Sequence, residues 1–398
     1  MDKETLSNYG WIVICILILA VMLALATPFG NFIAGAIKST TAGFFNVNQG
    51  ALSIAGIDID NQEFPEPPAA NDGKIEYDVG DPDLNPDDGS IPQEGDIYEY
   101  GDYIYTYSEC RRGILAGVIG WDVNLNLEVT DRTKSQYGPI LEKINGQPIV
   151  NLYGTFEDCT NLQQSPTIPK TVAGMISTFY NCSSLVEAPV IPNSIISIDR
   201  AFHNCTALCT APNIINCNNI TSLCETFWNC KNLKTYTGST DPDGDFSNWK
   251  VPNGVTSMEY TFYNCTSLTV APDLQHVTSL KKMYGTFQGC KSLVTIPIIP
   301  ENVSDMSCTF YWCSNLVSAP IIPANVDTLV STFAQCQSLS GNITINTIKI
   351  YRDYQFGANS CNNCFGGVDM SNIVLTGSAS KDVLNLIGGT GDNWTPIE

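Results

Sequence analysis

The chain has 398 residues, which is enough for one large or two ordinary domains. Its formal net charge is −21, and this argues against a nucleic-acid partner because nucleic acids select basic surfaces.

The first element along the chain is a long uncharged segment near the N-terminus. No charged residue lies between Glu4 and Lys38, and the stretch Trp11–Ala26 is wholly apolar. Residues 11–37 are long enough to cross the roughly 30 Å of bilayer hydrocarbon as a helix. We therefore expect a single-pass membrane anchor, with residues 1–10 in the cytoplasm and the C-terminal part outside the cell.

Two alternatives for this segment remain open. A cleaved signal peptide would need a positively charged start, which "MDKETLSNYG" does not supply. A pilin-like leader cut after Gly10 would place the apolar helix in the core of a surface fibre, with the rest of the chain outside. The glutamate usual at the fifth position of such a mature helix is replaced by Cys15. A homo-oligomer or fibre through the apolar helix is thus a second hypothesis.

An acidic, proline-rich segment follows a juxtamembrane stretch at 38–57. Residues 58–102 hold fifteen Asp or Glu residues against one Lys, together with six prolines. Such a segment buries too little apolar surface to offset its ordering entropy, and its charges repel one another. We expect an extended, solvated spacer here.

A repeat dominates the second half of the chain. The motif Phe-x-x-Cys-x-x-Leu occurs eight times, and successive phenylalanines are 23, 23, 25, 35, 25, 23 and 23 residues apart. A fixed period in the twenties predicts a solenoid, whose units bury their apolar faces against their neighbours. The motif cysteines are Cys159, Cys182, Cys205, Cys230, Cys265, Cys290, Cys313 and Cys336. The 35-residue step adds twelve residues, which are expected to leave the stack as a loop.

The repeat residues resemble the BspA-like class of bacterial leucine-rich repeats. The resemblance rests on phrases such as "AFHNCTAL" and "SLVEAPVIPNSIISI", and it covers about half of the chain. It implies an α/β-type leucine-rich-repeat solenoid of short parallel strands with an irregular or helical convex side. It also implies an extracellular protein used for adhesion or protein recognition, and mostly non-catalytic relatives. We expect repeats at 152–340, an N-terminal cap at 103–151 and a C-terminal cap at 341–398. A short helix and an Asn-Gly turn are expected within "YGPILEKINGQPIVNL".

The sequence after each repeat leucine departs from that class, because alanine or isoleucine is followed directly by proline. Proline donates no ladder hydrogen bond, so very short strands and partly polyproline-like coils are expected. Strand alternation would turn Ile191, Ile299 and Ile322, with Ile214 and Leu274, outward as an apolar stripe. The alternative is that these side chains fold over and cover the next coil. The second residue after each leucine varies and is the expected determinant of specificity: Gln164, Glu187, Thr210, Thr295 and Ser318.

The cysteines offer two interpretations. Coils about 4.8 Å apart permit disulfides between neighbours, but a disulfide would break the uniform geometry, and free cysteine packs as a small buried hydrophobe. We therefore favour a structural column of thiols. The pair Cys361 and Cys364 is a weak zinc signal, since no second pair or histidine cluster accompanies it.

Catalytic and metal motifs are sparse. The chain has two histidines, and no nucleophile set or phosphate-binding loop is recognisable. Asp241, Asp243 and Asp245 alternate as calcium ligands do, but the loop lacks the glycine and glutamate of the helix-loop-helix calcium site. The sequence thus predicts a non-catalytic bacterial surface protein without a cofactor. An extracellular protein or glycan is the expected ligand.

Overall fold

The computed structural model describes residues 86–109, 118–128, 130–236, 246, 248–296, 298–347, 352–353, 358–359, 363–379, 387 and 394–396. Contacts divide the chain into two units, Met1–Asp78 and Val79–Glu398, and every described residue belongs to the second. The predicted membrane helix at 11–37 lies outside the described residues. Within the described part, no helix is long and apolar enough to span a membrane.

A five-stranded sheet of order β1-β2-β3-β5-β4 begins the described chain. Its strands are β1 (Ile97–Tyr100), β2 (Tyr103–Glu109), β3 (Ile119–Leu125), β4 (Lys143–Ile144) and β5 (Gln147–Asn151). The inward side chains of β2, Tyr103 and Tyr105, are fully buried, and the Tyr103 ring packs edge-on against Phe156 of the first repeat at 6.1 Å. The sheet therefore covers the end of the apolar column, as a solenoid cap must.

Two expectations for this region were wrong. Strand β1 falls inside the range 58–102 assigned to the spacer, because Tyr98 and Tyr100 pack against the core while Ile97 faces out. The expected helix near 137–144 is an extended segment, in which the Leu141 N–H donates to the Tyr105 hydroxyl instead of a helical carbonyl. The Asn145-Gly146 turn is present, and both residues have the positive φ that a tight hairpin requires.

The repeats form a solenoid whose Phe-x-x-Cys segments are hydrogen-bonded turns. The described residues of the repeats form turns and short strands and include no α-helix, so the side predicted to be irregular or helical is irregular there. Each repeat phenylalanine donates its N–H to the next coil, as Phe262 does to the Thr286 carbonyl at 2.8 Å. The eight rings stack face to face with centroids 5.3–5.7 Å apart. This aromatic column is the centre of the core.

Parallel pairing joins the coils along two ladders, and both consist of single bridges or two-residue strands. The first ladder lies five residues before each phenylalanine and runs, for example, from Ser257 through Lys282 and Asp305 to Thr328. The second lies after each leucine and includes β6 (Thr210–Ala211) and β7 (Thr235–Tyr236). Strand β6 ends immediately before Pro212, so the expected shortening of the strands by proline is confirmed.

An asparagine ladder accompanies the thiol column, one residue before each cysteine. Asn181, Asn204, Asn229 and Asn264 each donate their side-chain amide to the residue at this position in the preceding coil, at 2.7–2.8 Å. All four have φ between 56° and 60°, the left-handed region that asparagine tolerates better than most residues. In the next coil Gly289 takes the position with φ 76°. Asparagine at this position thus tolerates the left-handed backbone and also makes a hydrogen bond between neighbouring coils.

The 35-residue step does not leave the stack entirely. Phe246 and Trp249 are fully buried and pack edge-on against Phe262, with centroids 5.7 and 5.9 Å away. The Trp249 indole N–H donates to the Pro212 carbonyl at 2.9 Å. The end of the insertion is therefore part of the core, where it supports the aromatic column at the longest step.

The C-terminal cap continues the column by one ring that the repeat motif did not reveal. Phe365 stacks on Phe333 at 5.4 Å, and the Phe333 N–H donates to the Cys364 carbonyl as in a regular coil. Val368 then occupies the position of a repeat cysteine.

A parallel sheet of order β12-β11-β8 follows. The remaining strands are β8 (Gly341–Thr344), β9 (Arg352–Asp353), β10 (Ala358–Asn359), β11 (Ile373–Gly377) and β12 (Trp394–Pro396), with a 3-10 helix at Met370–Asn372.

Candidate recognition surface

Three of the predicted specificity positions, Glu187, Thr210 and Thr295, lie on the second ladder. Glu187 bridges to Thr210, and Val270 bridges to Thr295, so these side chains form a row across the coils. Glu187, Thr295 and Ser318 are exposed, whereas Gln164 and Thr210 are half-buried. The Gln164 side-chain oxygen accepts a hydrogen bond from Gln136 of the cap at 3.2 Å. We call the first, second and fifth residues after each repeat leucine the variable face. Their role in binding stays a prediction.

Of the two possibilities for the isoleucines after each proline, the outward stripe was wrong, and the alternative that they are buried is confirmed. Ile191, Ile299 and Ile322 are 4%, 3% and 0% exposed, and Ile214 and Leu274 are fully buried. They therefore cannot contribute to a binding surface and instead cover the core.

The reason is the period of the segment after each leucine. Inward positions recur every third residue, as Leu316, Ala319 and Ile322 show, and not every second. A three-residue period is that of the polyproline II helix, which proline favours, whereas the stripe was placed by the two-residue period of a strand. The same change of period exposes the residue directly before each of these isoleucines.

An aliphatic row therefore replaces the predicted stripe on the variable face. Val190, Ile298 and Ile321 are 80%, 60% and 59% exposed. Val186, Val294 and Val317, at the first position after each leucine, are 40–45% exposed. Sequence reasoning identified the proline segments but assigned the wrong residues to solvent.

The eight repeat cysteines form a buried column of free thiols. From the second coil onward, each Sγ donates to the phenylalanine carbonyl of the preceding coil at 3.0–3.1 Å, as Cys265 does to Phe227. Burial raises the pKa of Cys336 to about 12. A thiol with a raised pKa is a poor nucleophile and a poor metal ligand, so the column is structural.

We expect thiol labelling to separate the column from a disulfide framework. In the folded chain the eight ladder thiols should not react at pH 8, because they are buried and protonated. After denaturation without reductant all eight should react with a maleimide and appear as modified peptides in mass spectrometry. A ladder peptide that labels only after reduction would contradict the assignment of free thiols.

An aromatic ridge lies on the outside of the middle coils, one residue after each phenylalanine. Tyr180, His203, Trp228 and Tyr263 stack in sequence with centroids 4.5, 5.4 and 3.8 Å apart. The ring faces cover one another. The Glu225 Oε1 and Oε2 accept hydrogen bonds from the Arg200 Nη2 and Nε at 2.9 and 3.0 Å, and Oε2 is also 3.6 Å from the His203 Nε2. His203 is buried, with 8% of its surface exposed.

The ridge predicts a pH dependence of stability. Burial, partly offset by Glu225, lowers the pKa of His203 to about 4 from 6.5. Between these values the unfolded chain binds the proton more readily, so stability falls as the pH falls from 7 to 5. We expect the wild type to lose about 1–2 kcal/mol relative to His203→Gln over this range. Urea unfolding of both chains at pH 7 and pH 5 measures the difference, and equal losses would contradict it.

The described part of the chain does not bring together the ligands that a metal ion needs. There, no group of three or more His, Cys, Asp and Glu side chains is placed to hold a metal ion. The calcium candidates Asp241, Asp243 and Asp245 lie outside the described residues, as does Cys361.

Comparison with known proteins agrees with the repeat geometry. The family model "BspA type Leucine rich repeat region (6 copies)" matches residues 243–377. A second family, described as "Mycoplasma protein of unknown function, DUF285", matches residues 175–298. No curated protein matches the chain.

Solved structures of three bacterial leucine-rich repeat proteins are similar at low identity. A leucine-rich repeat protein of T. pallidum is 20% identical over 55% of this chain and 83% of its own, with a TM-score of 0.34. A leucine-rich cell surface protein of Faecalibacterium prausnitzii is 16% identical over 75% and 98%, with a TM-score of 0.32. A leucine-rich repeat protein of Bacteroides ovatus is 18% identical over 76% and 100%, with a TM-score of 0.23.

The match to the BspA-type family model covers the last four coils that carry the repeat motif. That match includes Phe262, Phe287, Phe310 and Phe333 and the added ring of Phe365. Residues 243–377 of the chain thus match the BspA type of leucine-rich repeat.

Proposed function

We propose that the protein is a non-catalytic bacterial surface protein that recognises a protein partner through its variable face. The supporting observation is the contrast between the two sides of each coil. The Phe, Cys and Leu positions are constant in all eight motifs, while the second position after the leucine is glutamate at 187, threonine at 210 and 295 and serine at 318. Core constancy with surface variation is what a repeat scaffold needs in order to present a specific binding surface.

Location outside the cell is part of the proposal. The BspA-type match and the uncharged stretch between Glu4 and Lys38 support a chain anchored at its N-terminus. Intact cells treated with a membrane-impermeant biotin reagent should give a biotinylated chain. N-terminal sequencing separates an anchor, which starts at Met1, from a pilin-like chain, which starts at Trp11. Labelling only after cell lysis would contradict surface exposure.

A protein partner is favoured over a glycan by the chemistry of the face. Aliphatic and small polar side chains alternate on it, and the aromatic rings of the ridge cover one another's faces instead of offering them to a sugar. An apolar centre with a polar rim is typical of protein interfaces.

Site-specific photo-cross-linking tests the proposed face. A benzophenone amino acid placed at Glu187 or Ser318 should capture a defined partner on intact cells. The same group at Lys281, an exposed residue beside the first ladder, should not. The captured protein is then purified, and its affinity should fall at least tenfold with Glu187→Lys plus Ser318→Lys. Equal capture from both ladders, or unchanged affinity, would exclude this face.

A further inference from the structure

Trp312 interrupts the edge of the stack that carries the asparagine ladder. It occupies the ladder position of its coil with φ 63°, a left-handed conformation that a bulky residue rarely adopts. The Gly289 N–H of the preceding coil donates to the Tyr311 carbonyl at 2.7 Å, so the two coils are direct neighbours. Tryptophan here brings backbone strain and supplies no amide to continue the ladder. Strain of this kind is concentrated at ligand-binding sites, because elsewhere a less strained residue serves as well.

The indole of Trp312 is open to solvent. It is 48% exposed, whereas Trp121 and Trp249 of the core are 2% and 0% exposed. Among the described residues none accepts a hydrogen bond from its N–H, and Tyr311 approaches its ring only edge-on, with centroids 6.1 Å apart. The Lys291 Nζ of the preceding coil lies 5.5 Å from the ring centroid. The residue therefore presents an aromatic ring that no other ring covers, a donor without a partner and a cation at one place.

The side chains beside Trp312 are polar and carry no negative charge. Lys291, Ser314 and Gln337 are equivalent residues of three successive coils, and they form a column in which Lys291 and Gln337 are exposed. In the last five coils no Asp or Glu lies between the repeat phenylalanine and the repeat leucine, and lysine occurs there at 231 and 291. This edge is thus positively charged, although the whole chain has a net charge of −21.

We propose that Trp312 and Lys291 form a binding site for an acidic glycan. The C–H groups of a pyranose ring pack on the negative face of an aromatic ring. An ammonium group 5.5 Å from the ring centroid is placed to pair with a carboxylate or sulfate group on a sugar that is stacked there. The indole N–H and the Gln337 amide supply hydrogen bonds to hydroxyl groups.

The surroundings of Trp312 favour a glycan over a protein as the ligand at this edge. Protein interfaces have an apolar centre, but the column beside Trp312 consists of Lys291, Ser314 and Gln337. A single aromatic ring among amide, hydroxyl and ammonium groups matches one sugar ring with its hydroxyl groups. The aromatic ridge lacks this property, since its rings cover one another.

Binding of the purified full-length chain, in detergent, to a glycan array tests the site. The array carries neutral, sialylated, uronic-acid-containing and sulfated oligosaccharides. The wild type should bind acidic members, and Trp312→Asn should weaken this binding by about tenfold or more. Asparagine is the residue of four other coils at this position, so the variant removes the ring and relieves the backbone. Tyr153→Ala removes another exposed aromatic ring, 55% exposed, and should leave binding unchanged.

Lys291→Gln separates the charge from the ring. Isothermal titration with a bound acidic oligosaccharide and its neutral counterpart should show an affinity loss of about threefold for the acidic sugar alone. Three outcomes would overturn the proposal: no glycan bound by the wild type, full binding by Trp312→Asn, or equal affinity for acidic and neutral sugars. The array holds no protein, so failure of this site is distinguishable from failure of the recognition proposed above.

Discussion

Replacing Phe262 with alanine should lower the free energy of unfolding by about 3–5 kcal/mol, the usual cost of truncating a fully buried phenylalanine. The ring stacks on Phe227 and Phe287 at 5.6 and 5.5 Å, and Phe246 and Trp249 contact its edge. The cavity would therefore lie where two coils and the end of the insertion meet. Since each coil is stabilised mainly by its neighbours, weakening this step separates the stack into two shorter arrays.

Urea unfolding followed by circular dichroism measures this effect, with Val190→Ala as the control. Val190 is 80% exposed, so its truncation should change stability by no more than about 0.5 kcal/mol. We expect Phe262→Ala to broaden the transition as well, because the two arrays would unfold at different urea concentrations. A sharp transition within about 1 kcal/mol of the wild type would show that the column does not couple the coils.

Replacing Asn204 with alanine should cost about 2–4 kcal/mol. Its amide donates to Asn181 at 2.7 Å, and its side-chain oxygen accepts from Asn229 at 2.8 Å, so two hydrogen bonds are lost. Alanine at φ 60° adds backbone strain. The cost of the lost hydrogen bonds and the cost of backbone strain can be measured separately, because Asn204→Gly removes the hydrogen bonds without adding strain.

The matched variant is Asn204→Gly, which the chain itself uses at the equivalent Gly289 with φ 76°. We expect Asn204→Gly to be more stable than Asn204→Ala by about 1 kcal/mol, although glycine is ordinarily the less stable residue inside regular structure. Thermal unfolding of the two variants measures this difference in stability. If alanine proved the more stable, the left-handed backbone at this position would not be the reason for asparagine.

The repeat motif predicted the buried residues of the core well and the exposed residues of the surface less well. A constant Phe, Cys and Leu at a period near 23 residues placed those side chains inside without further information, because burial tolerates few alternatives. Whether a side chain after each repeat leucine points inward or outward depended on the local backbone conformation. Proline changed the local period from two residues to three, and that change turned Val190, Ile298 and Ile321 outward.

Other features depended on contacts that no local pattern reveals. Trp249 enters the core from an insertion expected to be a loop, and Phe365 continues the column although its coil lacks the cysteine. The aromatic ridge was visible only as unrelated side chains one residue after each phenylalanine, and stacking across coils joined them. Comparing the residue directly after each repeat phenylalanine would have identified the aromatic side chains of Tyr180, Trp228 and Tyr263.

The prolines of the second ladder have a consequence for aggregation. Open rows of backbone donors invite the strands of other chains to add to them, and this is a common route to aggregation. Pro189, Pro212, Pro272 and Pro320 each remove one donor from such a row, and bridging there is confined to one or two residues per coil. A solenoid built in this way can display an aliphatic surface at high density while its backbone remains a poor template for the polymerisation of its neighbours.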